Sequence, residues 1–122
     1  MIEFDDTLEQ VLTDAAFPRM IELQQRFSAG VRATIEAHEL PWCVVELGAR
    51  AEYRFTPEPP RSGAQSAAAA DPLLEDYLHL ALLNRGVLIT PFHNMALMSP
   101  ATSEDDVDRH TDAFAEAVAA LL

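Results

Sequence analysis

Lysine is absent from this chain. All eight basic residues are arginine: Arg19, Arg26, Arg32, Arg50, Arg54, Arg61, Arg85 and Arg109. Without a side-chain amine the chain by itself cannot form a Schiff base, supply a lysine general base or build a Walker-A phosphate site. Cysteine occurs once, as Cys43, which excludes an internal disulfide and any multi-cysteine zinc site. The four glycines are scattered and form no phosphate-cradling loop. No uninterrupted apolar run approaches the ~20 residues of a membrane span. The first residues, Met1-Ile2-Glu3-Phe4-Asp5-Asp6, are acidic, unlike the basic start of a signal peptide. A reducing, cytoplasmic setting is the expectation. Positive charge is also scarce, with 20 acidic residues against 8 basic ones and a formal net charge of −12. Nucleic acid and anionic membrane surfaces both need clustered cations, so neither is an expected partner.

What is present is an ordinary globular composition, 49% hydrophobic and 23% charged, in 122 residues. One domain over residues 1–122 is expected. Thr7-Leu8-Glu9-Gln10 fits a capping box and a short helical turn to about Leu12. Pro18 suits the opening turn of a longer helix, in which Met20, Leu23, Phe27, Val31 and Ile35 form one apolar stripe. Gly30 lies inside that helix, which predicts close packing against a neighbour. Pro41 ends the element.

Cys43–Leu47 and Ala51–Thr56 read as strands, the second alternating polar with aromatic residues. Residues 56–70, with Pro57, Pro59 and Pro60, read as a loop from which helix emerges late in the alanine run. Asp71-Pro72 opens another helix and Asn84-Arg85-Gly86 closes it. Leu73, Leu74, Tyr77, Leu78, Ala81 and Leu82 make its stripe, while Leu80 and Leu83 lie partly off it. A helix apolar over so much of its circumference expects cover on more than one side.

Val87–Thr90 and Met95–Met98 read as two further strands separated by a break at Pro91-Phe92-His93-Asn94. Thr102 and Ser103, followed by Glu104-Asp105-Asp106, start a last helix, with Val107, Thr111, Phe114, Val118 and Leu121 on one face. The order α-β-β-α-β-β-α predicts an α+β fold of two layers: a small, largely antiparallel sheet of three or four strands packed by about three helices.

The chemistry-bearing residues do not assemble a catalytic constellation in the sequence. His38, His79 and His110 fall on helices without a second ligand one turn away, and are expected at the surface or at helix ends. Cys43 reads as a small thiol in a strand. The Glu104–Asp108 cluster lacks the spacing and glycine of a calcium loop, and its place at a helix start accounts for it. His93 sits beside Asn94 in a turn between strands, a position favoured for binding.

Longer stretches carry a resemblance. Asp71-Pro72-Leu73-Leu74-Glu75-Asp76-Tyr77-Leu78 and Leu82-Leu83-Asn84-Arg85-Gly86-Val87-Leu88-Ile89-Thr90-Pro91 resemble the C-terminal part of class-III pyridoxal-phosphate aminotransferases. Ser99-Pro100-Ala101-Thr102-Ser103-Glu104-Asp105-Asp106-Val107-Asp108 is similar to the serine and acidic helix start near those enzymes' C-termini. Pro91-Phe92-His93-Asn94-Met95-Ala96-Leu97-Met98 and the order of the long helix followed by Pro41-Trp42-Cys43-Val44-Val45-Glu46-Leu47-Gly48 agree. The nearest branch is that of glutamate-1-semialdehyde aminomutase and the β-amino-acid aminotransferases, and the likeness spans roughly residues 7–122.

The resemblance implies a whole enzyme of more than 400 residues whose large domain carries the cofactor lysine and phosphate site. The chain, inactive alone for want of lysine, would then be the C-terminal small-domain part, packing on that large domain and shaping the substrate entrance. Met1 directly before a helix entry reads as an excised domain or a truncated reading frame. No cofactor is expected on this chain itself; pyridoxal phosphate belongs to the parent. His93, Asn94 and Met95 are the expected substrate-facing turn. Arg54 and Arg61 are candidates for a carboxylate clamp, with a solvated salt bridge as the structural alternative for each. The competing reading is a free-standing, non-catalytic interaction module whose apolar Leu80/Leu83 face binds another protein or another copy of itself.

Overall fold

The computed structural model describes residues 7–90 and 93–122. After a single wide helical turn over Thr7–Val11, helix α1 runs Ala16–Ala37, with Pro18 in its first turn where a missing amide costs little. Strands β1 (Cys43–Leu47) and β2 (Arg50–Arg54) form a hairpin. Its turn relies on Gly48 at φ +57°, a left-handed conformation that side chains disfavour. Helix α2 (Gly63–Ala68) and helix α3 (Pro72–Asn84) follow, then β3 (Met95–Leu97) and helix α4 (Glu104–Leu121). The sheet is antiparallel throughout, in the order β1-β2-β3. This is the α+β, two-layer arrangement that the pattern predicts.

One face of the sheet meets the helices. Val44, Ala51 and Tyr53 point inward, and α1 lays Met20, Leu23, Phe27, Val31 and Ile35 against them and against Val107, Phe114 and Val118 of α4. The α1–α4 approach is close because Gly30 has no side chain. A Cβ built there would stand 2.5 Å from the Thr111 hydroxyl oxygen. The packing expected of Gly30 is therefore present, with α4 as the neighbour. At the other end of the core, Trp42 meets the edge of Phe55 at 4.9 Å and Tyr53 lies 5.0 Å from Phe114.

Helix ends follow local chemistry. Asp71 accepts from the Leu74 amide to open α3, and Ser103 and Asp106 form a reciprocal capping box at α4. Helix α3 closes in a Schellman turn: Val87 donates to the Leu82 carbonyl and Gly86, at φ +83°, to that of Leu83.

Three expectations change. Val87–Thr90 is not a strand of the sheet. Its one bond to β3 is a long one, from the Thr90 amide to the Met95 carbonyl at 3.4 Å. The β-branched residues there obtain burial, at Ile89, without a ladder. The expected strands also shift or shorten, Ala51–Thr56 becoming Arg50–Arg54 and Met95–Met98 becoming Met95–Leu97. Helix in the 56–70 loop begins at Gly63, earlier than the alanine run suggests, because Ser62 caps it by accepting from the Gln65 amide. The expected break at Pro91-Phe92 lies outside the described residues.

Candidate functional site

Among the described residues the sheet's other face meets only the short helix α2, at Arg54, and its side chains follow from register. Opposite neighbours share a face, so Arg50, Glu52 and Arg54 of β2 stand beside Leu47, Val45 and Cys43 of β1, and beside Leu97 and Met95 of β3. Glu52 bridges both arginines at 3.0 Å, one carboxylate oxygen to each. Arg54 also donates to the Ser66 carbonyl (2.6 Å) and hydroxyl (2.7 Å), tying α2 down onto the sheet. With side chains only 16% and 12% exposed, Arg54 and Glu52 form a half-buried network, in place of the solvated bridge considered for Arg54.

Val45, Glu52, Arg54, Arg61 and Ser66 border a cavity of about 360 Å³. A neighbouring hollow of about 590 Å³ lies between Phe55, the proline-rich loop and α2, and Arg61 contributes to both. Arg61 is exposed, its amide donates to the Gln65 side chain at 2.8 Å, and its guanidinium forms no ion pair among the described residues. The two arginines singled out in the sequence thus come together, one committed to the scaffold and one open.

The expected turn lies elsewhere on the sheet. His93 is exposed, and its amide donates to the Thr90 carbonyl. Asn94 is buried; its carbonyl accepts from the Tyr53 amide while its side-chain oxygen has no partner among the described residues. Met95 is half-buried and pairs across the ladder with Glu52, which links the turn to the arginine network by one register position. None of the three borders the cavity between Arg54 and Arg61.

The other chemistry-bearing residues have structural settings. His38 occupies the end of α1, as expected. His110 does not fit the surface or helix-end expectation: it is 4% exposed, on the core face of α4. The signal was available, since His110 is three residues beyond Val107 and four before Phe114, on the same apolar stripe. His79 is also partly buried, with Nε2 lacking a partner among the described residues. Cys43 is half-buried, and burial pushes its thiol upward against the pull of Arg54 and Arg32. Burial raises the Tyr53 phenol further still, with Glu75 adding to the effect. The acidic cluster at α4 is used locally: Asp106 in the capping box and Asp108 in a two-bond pair with Arg26 at 2.7 and 2.8 Å. Among the described residues no group of three or more His, Cys, Asp or Glu side chains is placed to hold a metal ion. No described helix is long and apolar enough to cross a membrane.

Comparison with known proteins bears on this arrangement as a whole. No family model matches the chain. It is 36% identical over 110 residues to a glutamate-1-semialdehyde 2,1-aminomutase of Sorangium cellulosum, covering 89% of this chain and 25% of that protein. Two crystal structures of a glutamate-1-semialdehyde aminomutase from Pseudomonas aeruginosa PAO1 superpose with a TM-score of 0.92 at 47% identity, over 95% of this chain and 26% of theirs. One of these is a lysine-to-alanine variant in complex with PMP. An omega-transaminase from Sphaerobacter thermophilus follows at a TM-score of 0.73 and 28% identity, over 88% of this chain and 25% of that one. The chain spans about a quarter of the length of the relatives it matches. In sequence and in fold it corresponds to the C-terminal domain of the class-III pyridoxal-phosphate aminotransferases, in the branch of glutamate-1-semialdehyde aminomutase.

Proposed function

We propose that residues 1–122 act as one domain, the C-terminal, pocket-shaping part of an aminomutase-like or transaminase-like enzyme of the cytoplasm, and are not catalytic alone. The observation that carries this reading is a pair of facts: a TM-score of 0.92 to the Pseudomonas enzyme, and a sequence without lysine. The side chains bordering the two sheet-side cavities are arginine, glutamate, serine, threonine, glutamine and apolar groups. They do not fit pyridoxal phosphate as its covalent holder, because no side-chain amine exists to bind its carbonyl. The cofactor site therefore belongs to the rest of the enzyme.

This chain's contribution is shape and charge at the substrate entrance. Exposed His93 and half-buried Met95 form a wall, with buried Asn94 anchoring their turn to Tyr53, and Arg61, backed by the Arg54–Glu52 network, presents a guanidinium that suits a carboxylate. Exposed Leu80 (59%) and Leu83 (54%) on α3 supply an apolar face for the large domain. The same leucines favour the second reading, a module that pairs with a copy of itself. Sedimentation separates them: a concentration-dependent dimer that Leu80→Ser disperses supports self-pairing.

The direct test joins this chain to the other three quarters of the Pseudomonas enzyme in place of its matching segment. Recovery of amino-group exchange by the chimera, with none from the 122-residue chain alone, is the expected result. Borohydride treatment of the isolated chain with pyridoxal phosphate should label no side chain. Amino-group exchange by the pure chain overturns the reading.

A further inference from the structure

An antiparallel sheet with one face in water alternates apolar positions inward with polar positions outward. The outer face of this sheet breaks that rule on both flanking strands. Its positions are Cys43, Val45 and Leu47 on β1 and Met95 and Leu97 on β3, none of them charged, while β2 between them carries Arg50, Glu52 and Arg54. Leu47 and Leu97 stand in register on either side of Arg50 and are 72% and 60% exposed. Leu88, on the segment beside β3, is exposed as well. The outermost strands of a solvated sheet ordinarily carry charge or proline, which keeps other chains away. Helix α2 ties onto this face at Arg54, and the row Leu47–Arg50–Leu97 lies open among the described residues.

We propose that the large domain of the parent enzyme docks on this face through an apolar surface that carries a carboxylate opposite Arg50. This docking rests on the aminotransferase reading and adds to the contact given there to Leu80 and Leu83. Length and charge select the occupant. The chain spans about a quarter of its relatives' length, so cover is expected from the remainder of the enzyme. Arg50 and Arg54 share the single carboxylate of Glu52, which leaves β2 one positive charge in excess. Covering the face strips water from that charge, and a buried charge without a partner is strongly destabilising. An incoming carboxylate removes the excess and pairs with the planar Arg50 guanidinium. A second copy of this face brings another excess positive charge instead, so self-pairing is repulsive at its centre.

The test places a thiol on the face. Leu97→Cys in a Cys43→Ala background is treated with a maleimide, once as the 122-residue chain and once within the Pseudomonas chimera. Labelling of that residue is read by mass spectrometry of its peptide. Labelling at least about tenfold slower in the chimera is expected, whereas Ala119→Cys, at an exposed position on α4, should label equally in both. Arg50→Glu in the same chimera should speed labelling of the Leu97→Cys thiol at least about threefold, because two carboxylates then face each other. Equal labelling of Leu97→Cys in the free chain and the chimera overturns the docking. That result holds whether or not the chimera exchanges amino groups, so it is told apart from failure of the aminotransferase reading. Protection that grows with the concentration of the free chain, the mark of a second copy on this face, overturns it too. Protection indifferent to Arg50→Glu does the same for the carboxylate.

Discussion

Acidification from pH 7 to pH 4.5 should weaken the fold through His110. Burial among Phe27, Phe114 and Val107 pushes this imidazole down from 6.5 to about 4. Between those two values the unfolded chain takes up a proton that the folded chain refuses. The unfolded state then binds more protons, so stability rises with pH through this window and falls on acidification. Above 6.5 both states are neutral, and below about 4 both are protonated, so the loss levels off at each end. The full window corresponds to about 3 kcal/mol, and the step from pH 7 to pH 4.5 to about 2 kcal/mol.

The acidic residues of α4 act in a different range. Hydrogen bonds from the Ser103 backbone and side chain hold Asp106 below the usual carboxylate value, and the Arg26 guanidinium does the same for Asp108. Their contributions persist until the pH falls through those lowered values, below the His110 window. The assay is urea unfolding at pH 7 and pH 4.5, read by the fluorescence of buried Trp42 and by far-UV circular dichroism. Comparison with His110→Phe cancels every other titrating group, and His110→Gln serves if the phenyl ring overpacks. The wild-type chain should lose about 2 kcal/mol more than the variant over this step. Equal losses in both proteins would refute the reasoning, since the protonation cost would then lie elsewhere.

Two substitutions examine the scaffold. Gly30→Ala should destabilise the chain by about 1 kcal/mol in thermal unfolding: overpacking against Thr111 outweighs the better helix propensity of alanine. Thr111→Ala in the same chain should restore part of the loss. Arg54→Ala should cost about 2 kcal/mol, because Glu52 loses one charged partner and Ser66 its tie to the sheet. Arg54→Lys should recover little of it, since one ammonium does not reproduce a guanidinium fork that spans both partners.

The fold was legible where local and tertiary preferences agree. The α1 stripe from Met20 to Ile35 is buried residue for residue, and Asp71-Pro72 and Gly86 delimit α3 where cap chemistry places them. Val87–Thr90 misleads because β-branched residues report a preference for extended, half-buried backbone, not for a paired ladder. Leu73, on the expected α3 stripe, is exposed, whereas Leu78 and Leu82 of that stripe are fully buried. A helix apolar around most of its circumference gives periodicity little contrast with which to choose the inward side.

The candidate site was legible only in its members. Arg54 stands on β2 and Arg61 in a proline-rich loop, and their common cavity exists because Arg54 reaches Ser66, twelve residues on, while Ser62 and Gln65 fix the loop between them. Each of those bonds is a commonplace cap or ion pair, so no motif spacing announces their convergence. The division of labour between the two arginines is equally invisible in sequence. It depends on Glu52 lying between Arg50 and Arg54 on one face of a strand, which turns one guanidinium into scaffold and leaves the next one along the chain open. His110 illustrates the opposite case. Its place on the α4 stripe was written in the spacing from Val107 to Phe114, and the expectation of a surface histidine yielded to the residue's usual preference over its position. Position decides burial on an amphipathic helix, and residue type decides only what that burial costs.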